Sequence, residues 1–217
     1  MRTLVCFALK EEAVSFRKIA AERPHVSMLI VGIGRLNAEK SIRAYLEAHT
    51  PELVLTCGFA GGLDPNLKIG DVVFEMPLKQ QLEAPGGISS KKLDAAGAKP
   101  AKFLCANRIA TTVAEKQALR TETGAEVVEM ESAAIHAVCA ERNIPCVTVR
   151  VISDTAHEDL PLDFNALSKP DKSLDFGKLA WAIAKSPGKI GALMALQKKT
   201  SFAASQLAAV LGKIISA

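Results

Sequence analysis

Short apolar runs alternate with segments of helical periodicity along most of the chain. The runs are rich in aliphatic and β-branched residues and have turn residues or charges at their ends, which is typical of buried strands. The predicted strands are 3–9, 25–32, 52–58, 69–74, 102–107, 125–130 and 145–153. The predicted helices are 10–22, 37–49, 112–123 and 131–142, with helix again from about Leu174 to the end and a break near 186–188. Asn37 suits the N-cap of the second helix.

This alternation predicts a layered α/β protein with a largely parallel sheet. Two stretches give no strong signal: 75–101, which contains a loop pattern at 83–92, and the irregular connection 154–173. Neither contains a linker of the kind that separates domains, so we expect one catalytic domain at 1–186, followed by a helical tail at 187–217. In folds of this kind, ligands bind at the carboxyl ends of the strands.

Composition narrows the class of protein without identifying it. The 217 residues are 49% hydrophobic and 23% charged, and the net charge of +4 is too small to indicate nucleic acid. The five cysteines include no paired motif, which favours reduced thiols in a cytoplasmic protein. The four histidines lack metal-ligand spacing, so no metal site is predicted. We also expect no signal peptide and no membrane span.

Acidic residues follow several of the strongly apolar strands. Glu129 and Glu131 bracket Met130 at the end of one strand, Asp154 ends another, and Glu12 lies shortly after the first. Placing carboxylates beside a core is costly unless they bind something. Such a set suits a polyhydroxylated ligand whose transition state carries positive charge better than it suits an anion.

Three shorter motifs have two interpretations each. "GIGRLN" at 32–37 resembles a dinucleotide fingerprint but has Asn where a third Gly or Ala is needed, which disfavours a dinucleotide-dependent oxidoreductase and favours a tight turn. "GFAGG" at 58–62 is either a nest of backbone N–H groups or a tight turn. Asp154 in "ISD" at 152–154 is either a functional carboxylate or the cap of a turn.

Together, these segments resemble the purine nucleoside phosphorylase and nucleosidase superfamily. The segments that carry the resemblance are "ALKEE" at 8–12, "GIG" at 32–34, "CGFAGGL" at 57–63, "LKIGDVV" at 67–73, "VVEMESAAI" at 127–135 and "VRVISDTA" at 149–156. They are most similar to the methylthioadenosine/S-adenosylhomocysteine nucleosidases, and residues 1–156 are covered. Residues 153–165 and the basic tail resemble a narrower branch, the hopanoid-associated phosphorylases, which release adenine from an adenosylated hopanoid.

The resemblance implies a three-layer αβα fold around a mixed sheet and cleavage of the N-glycosidic bond between a purine and a ribose. It assigns ribose binding to Glu131 and Met130, with Glu129 either supporting them or in contact with the ligand. Asp154 would protonate or hydrogen-bond N7 of the purine, which requires a raised pKa. The other implied roles are orientation by Ser153 and Arg150 and base contacts from Ile109, Ala110 and Ser153.

Hydrolysis and phosphorolysis both remain open at the level of sequence. Glu12 matches the glutamate that activates water in the nucleosidases, and its alternative interpretation is a solvated residue at a helix start. Phosphorylases of the superfamily place a serine where this chain has Phe59. Phosphate as co-substrate would instead depend on Phe59, Ala60, Gly61 and Gly62 forming a backbone nest, helped by Lys10 or Arg35. No other cofactor is implied.

The last predictions concern the tail and the partners. Leu207, Val210, Leu211 and Ile214 recur at helical spacing, and the chain after Asp175 has six lysines and no acidic residue. The apolar face either packs on the domain or a dimer partner, or rests on an anionic membrane surface. We expect a small-molecule partner, a homo-oligomer and no nucleic acid. A non-catalytic nucleoside-binding protein of the same fold is the alternative function.

Overall fold

The structure is a computed structural model that describes residues 1–76, 88–167, 169, 185 and 187–216. Its strands are β1 Thr3–Phe7, β2 Val26–Ile30, β3 Leu53–Gly62, β4 Val72–Glu75, β5 Lys99–Pro100, β6 Phe103–Cys105, β7 Val127–Glu129 and β8 Cys146–Asp154. Its helices are α1 Lys10–Ala13, α2 Arg17–Ala21, α3 Arg35–Ala48, α4 Ser90–Ala96, α5 Val113–Thr123, α6 Ser132–Glu141 and α7 Ile190–Ser216, with a 3₁₀ turn at Pro187–Lys189 before α7.

The strands form one mixed sheet in the order β2-β1-β3-β8-β4-β5. The first four strands in this order are parallel, β4 is antiparallel to β8, and β5 is parallel to β4. The end of β3 also pairs with β7, antiparallel, and β7 pairs with β6. Strands β1 and β8 are buried along their whole length, as expected of continuous apolar runs at the centre of a covered sheet.

Both faces of the sheet are covered, which confirms the predicted three layers. Successive residues of β1 point to opposite faces: Leu4 and Cys6 belong to one core cluster, and Val5 and Phe7 belong to the other. Helices α3 and α6 pack together over the first face. Helices α1, α4 and α7 pack over the second face. The carboxyl ends of the parallel strands therefore meet at one edge, between two layers of helices.

Helix α7 completes the second helical layer. Leu207, Val210, Leu211 and Ile214 are all buried in the larger core cluster. The apolar face predicted for the tail thus packs on its own domain, and these four side chains are not available to a membrane surface. Among the described helices, none has the length and apolar character needed to cross a membrane.

The helices differ from the sequence prediction in two places. The single helix expected at 10–22 is two short helices, α1 and α2, joined by a turn. The stretch 75–101 contains α4, which Ser89 caps by accepting the Lys92 N–H and which ends at Gly97 with φ 104°. The first half of the loop pattern, 83–87, and most of the helix expected from Leu174 to 186 lie outside the described residues.

Candidate active site

A cavity of about 340 Å³ opens at the carboxyl ends of the parallel strands, beside the end of β7. Of the thirteen site residues predicted from the sequence, eleven line this cavity. They are Glu12, Phe59, Ala60, Gly61, Ile109, Ala110, Glu129, Met130, Glu131, Ser153 and Asp154. Gly62 and Arg150 are the two that do not line it. The fold therefore brings together predicted site residues from five separate segments of the chain.

Arg150 lies beneath the cavity and is almost fully buried, with 1% of its surface exposed. Its Nη2 donates to Glu129 Oε2 at 2.6 Å and to Glu131 Oε2 at 3.3 Å, and its Nη1 donates to the Cys57 carbonyl at 2.9 Å. Burial opposes its charge, but the carboxylates of Glu129, Glu131 and Glu12 outweigh burial and raise the pKa of Arg150. The guanidinium is the fixed positive charge that allows several carboxylates to share the site.

The two glutamates that bracket Met130 have different environments. Glu129 accepts the backbone N–H groups of Glu131 and Ser132 at 2.9 and 2.8 Å, and the Ser132 hydroxyl at 2.6 Å. Burial alone would raise the pKa of Glu129, but Arg150 and the bonds from Ser132 hold it below its usual value. These bonds give Glu129 a supporting position at the start of α6.

Glu131 keeps more of its hydrogen-bonding capacity. Its Oε1 accepts the Gly34 N–H at the start of α3 at 2.8 Å, and its Oε2 has only the longer bond from Arg150. Burial raises the pKa of Glu131 to about 7, although Arg150 and the Gly34 N–H act in the opposite direction. A carboxylate with free lone pairs facing a cavity is suited to accept hydroxyl groups.

Glu12 reaches the cavity from the start of α1 and is 4% exposed. Its oxygens accept the N–H groups of Phe59 at 2.8 Å and Leu9 at 2.9 Å. Burial raises the pKa of Glu12 against the lowering effects of Arg150 and these backbone bonds. It is therefore not the solvated helix-start residue that the sequence allowed as an alternative.

Gly58 explains how Glu12 and Arg150 approach the strand so closely. Its φ is 146°, which side chains rarely adopt, and a Cβ there would lie 2.6 Å from both Arg150 Nη1 and Glu12 Oε1. The glycine motif at 58–62 thus creates space for charged side chains.

The predicted backbone nest is not formed. Residues Ala60, Gly61 and Gly62 continue β3 as an extended strand, and they pair with β8 on one side and β7 on the other. Gly61 and Gly62 are also not among the positive-φ glycines. A Cβ on Gly61 would lie 3.2 Å from Asp154 Oδ2, so its small size serves contact with that carboxylate. An anion finds no converging N–H groups in this segment.

Asp154 ends β8, and both of its carboxylate oxygens have polar partners. Its Oδ1 accepts the Ser153 hydroxyl at 2.8 Å, and its Oδ2 lies 2.6 Å from Nζ of Lys116. Lys116 was missed by the sequence analysis because it occupies an ordinary position in α5. It is nevertheless fully buried, at 0% exposure. The site thus places a buried cation directly beside the predicted acid.

The outer wall of the cavity also includes residues that the sequence did not indicate. The apolar ones come from the irregular connection after β8, from α7 and from two strand-end turns: Leu9, Ile33, Leu160, Phe164 and Leu196. The side chain of Asn165 holds this connection against Ile109, because it accepts the Ile109 N–H and donates to the Ile109 carbonyl, both at 2.9 Å. Phe164 supplies an aromatic ring in a cavity where the sequence analysis assigned base contacts only to Ile109, Ala110 and Ser153. No periodic pattern could have placed it there.

The charges of the cavity are predominantly negative. Five acidic side chains line it: Glu11, Glu12, Glu129, Glu131 and Asp154. Among the described lining residues, Arg108 is the only cation, and it is paired with Glu115. Lys10 and Arg35, the predicted helpers of a phosphate, do not line the cavity. The arrangement suits a neutral ligand rich in hydroxyl groups, and it suits chemistry that develops positive charge.

Comparisons with known proteins show the family and the fold of this chain. A family model described as the phosphorylase superfamily matches residues 91–185. A 5′-methylthioadenosine/S-adenosylhomocysteine nucleosidase from Shewanella oneidensis is 31% identical over an alignment of 162 positions, which covers 62% of this chain and 69% of that protein. The corresponding nucleosidase from Neisseria meningitidis, in complex with methylthio-immucillin-A, has a similar fold, with a TM-score of 0.68, 18% identity and 99% of both chains covered. Futalosine hydrolase from Helicobacter pylori has a TM-score of 0.66 at 18% identity, with 99% of this chain and 97% of that one covered.

Proposed function

The chain belongs to the phosphorylase superfamily and is a nucleoside phosphorylase or nucleosidase, and from this premise we propose that it hydrolyses the N-glycosidic bond of an adenine nucleoside. The S. oneidensis relative, by its name, acts as a nucleosidase on methylthioadenosine and S-adenosylhomocysteine. The observation that carries the proposal is the charge of the cavity. A bound phosphate would lie among five acidic side chains, and the cations near them, Arg108, Lys116 and Arg150, are already paired with carboxylates. Water has no charge to be repelled.

Glu131 and Met130 hold the ribose. The 2′- and 3′-hydroxyls donate to the Glu131 carboxylate, which must be ionised to accept both. Met130 lies against the sugar. As the glycosidic bond breaks, the ribose gains oxocarbenium character, and the same carboxylate stabilises that positive charge. Glu129 and Arg150 support Glu131 and do not contact the substrate.

Asp154 receives the base together with Ser153. The bond between C1′ and N9 breaks, its electron pair leaves with the purine, and a proton passes from the Asp154 carboxyl to N7. Ile109, Ala110 and Phe164 form the apolar wall against the ring. An exocyclic amino group suits this site better than a carbonyl because Asp154 and Ser153 present oxygen acceptors to it.

Glu12 activates the water that replaces the purine. Its raised pKa makes it a stronger base than an exposed glutamate, and its two backbone bonds fix its orientation. Water attacks C1′, Glu12 takes one of its protons, and the products are adenine and a free sugar. Phosphorolysis would need a second cation in the cavity.

The apolar outer wall favours a substrate with an apolar 5′ substituent. Leu9, Ile33, Leu160 and Leu196 also line the cavity and are all apolar. A thioether or a longer hydrocarbon group would bury apolar surface there, at about 25 cal/mol per Å². A nucleoside linked to a hopanoid lipid has this chemistry, and so does 5′-methylthioadenosine.

Adenine release in phosphate-free buffer tests the proposal. The substrates are adenosine, 5′-methylthioadenosine and the 2′-deoxy form of adenosine, assayed with the parent protein, Glu12→Gln and the exposed control Glu22→Gln. We expect turnover by the parent and the control, a loss of about 10²–10⁴-fold in Glu12→Gln, and weak turnover of the deoxynucleoside. Absence of turnover on every nucleoside would indicate a binding protein, and turnover that requires phosphate would indicate phosphorolysis.

A further inference from the structure

Helix α5 buries a lysine where an apolar side chain would be expected. Lys116 is the only residue of α5 that is fully buried, and burying an ammonium is costly unless it is paired. The start of the helix is firmly fixed by a capping box in which Thr112 accepts the Glu115 N–H and Glu115 accepts the Thr112 N–H. Lys116 follows directly and is held in one position.

Every N–H of the Lys116 ammonium has an oxygen acceptor. Nζ lies 2.6 Å from Asp154 Oδ2, 2.7 Å from the Thr155 carbonyl and 3.0 Å from the Glu158 carbonyl. Three acceptors match the three N–H groups of an ammonium, whereas a neutral amine has only two. The positive charge is therefore built into the wall behind Asp154, out of contact with the cavity.

The Asp154 carboxylate is restrained from three directions. Lys116 contacts Oδ2, the Ser153 hydroxyl donates to Oδ1, and the main chain of Gly61 leaves just enough room for Oδ2. The rest of the carboxylate faces the cavity, where the proposed function places N7 of the purine. Lys116 can therefore affect the reaction directly through Asp154 or indirectly through the connection after β8, whose Thr155 and Glu158 carbonyls it also binds.

We infer that Lys116 is a positioning residue that orients Asp154 toward the leaving purine and makes it a stronger acid. The inference rests on the proposed function. When Asp154 passes its proton to N7, it becomes a carboxylate 2.6 Å from a cation, so proton transfer is favoured.

This account predicts two opposite effects when the cation is removed. In Lys116→Met, a neutral variant of similar length, the Asp154 carboxylate formed on proton transfer has no cation beside it, so Asp154 is a weaker acid. The maximal rate of adenine release should fall by roughly 3–30-fold. The alkaline limb of the kcat–pH profile should move up by about one pH unit or more. A purely structural lysine would lower the rate and leave the limb in place.

The chain offers a matched control in Lys199. Its ammonium pairs with the Glu158 side chain, so Lys199→Met loosens the same connection after β8 without touching Asp154. The other charged side chains of the cavity are unchanged in both variants, so they cannot produce a difference. They are Glu11, Glu12, Glu129, Glu131 and Arg108.

The experiment measures kcat for 5′-methylthioadenosine across pH in the parent, Lys116→Met, Lys116→Gln, Lys116→Arg and Lys199→Met. The inference expects the shifted limb in both neutral Lys116 variants, and the parental limb in Lys116→Arg and Lys199→Met. If Lys116→Met does not fold, Lys116→Gln provides the neutral variant. An unshifted limb in the neutral variants, or an equal shift in Lys199→Met, overturns the role of Lys116. Normal turnover in Asp154→Asn would instead refute the proposed role of Asp154 itself.

Discussion

Glu131 must be ionised to bind the ribose as proposed, whereas its raised pKa means that the folded protein favours the protonated form. Burial raises the pKa of this carboxyl to about 7, against 4.5 ordinarily. The folded protein therefore binds the Glu131 proton more tightly than the unfolded chain does. The resulting stabilisation is fully present below pH 4.5 and is lost as pH rises through about 7. At about 1.4 kcal/mol per pH unit, the gap corresponds to roughly 3 kcal/mol of unfolding free energy.

Replacing Glu131 with Gln removes the carboxyl that binds this proton, and with it the contribution of Glu131 to the pH dependence of the unfolding free energy. The amide also changes the contacts with Gly34 and Arg150, but that cost does not depend strongly on pH. The unfolding free energy of Glu131→Gln minus that of the parent should therefore rise by about 2–3 kcal/mol between pH 5 and pH 8. Urea denaturation at several pH values measures it, with midpoint and slope compared at each.

The exposed Glu47 provides the control, because Glu47→Gln should follow the parent at every pH. Parallel stability–pH profiles for the parent and Glu131→Gln would refute the reasoning, since they would mean that Glu131 titrates alike in the folded and unfolded states. A difference that falls with pH would also refute it, because it would mean that the folded state favours the ionised form.

Three further substitutions test other parts of the site. Asp154→Asn should lower turnover by about 10²–10⁴-fold, and it should destabilise the protein by about 3–5 kcal/mol because it leaves the buried Lys116 ammonium unpaired; assays well below the melting temperature separate the two effects. Gly58→Ala should lower the unfolding free energy by about 1–3 kcal/mol or more because of overpacking and an unfavourable φ, and it should lower activity because Glu12 is displaced. Denaturation midpoints and adenine release measure the two effects. Wild-type values would contradict the close approach of Glu12 and Arg150 to Gly58. Arg150→Met should destabilise the protein by about 3–5 kcal/mol at neutral pH and by less near pH 5, where the neighbouring glutamates take up protons. A loss of stability that does not depend on pH would show that the guanidinium does not neutralise these glutamates.

Much of the fold followed from the hydrophobic pattern because the central strands are buried on both faces. Strands β1, β3 and β8 are continuous apolar runs, and this is why their ends, and the acidic residues after them, could be predicted together. The helix at 10–22 was predicted as one element because its apolar spacing continues across the turn between α1 and α2. Sequence periodicity does not detect a short turn of this kind.

The site was predicted where it depends on strand ends and missed where it depends on tertiary contacts. Lys116 belongs to a polar helix face in the sequence, and only the packing of α5 against the connection after β8 shows that it is buried. Phe164 and Asn165 lie in an irregular segment whose position depends on hydrogen bonds to Ile109. The glycines at 61 and 62 were misinterpreted because a glycine motif is equally compatible with a nest and with a crowded strand.

Product analysis with and without inorganic phosphate tests the central claim most directly. Purified protein is incubated with 5′-methylthioadenosine in phosphate-free buffer and in the same buffer with phosphate, and adenine, free sugar and sugar 1-phosphate are separated by chromatography. The account predicts equal rates of adenine release in both buffers, with free sugar as the only sugar product. Adenine release that depends on phosphate and yields sugar 1-phosphate would contradict hydrolysis at this acidic cavity.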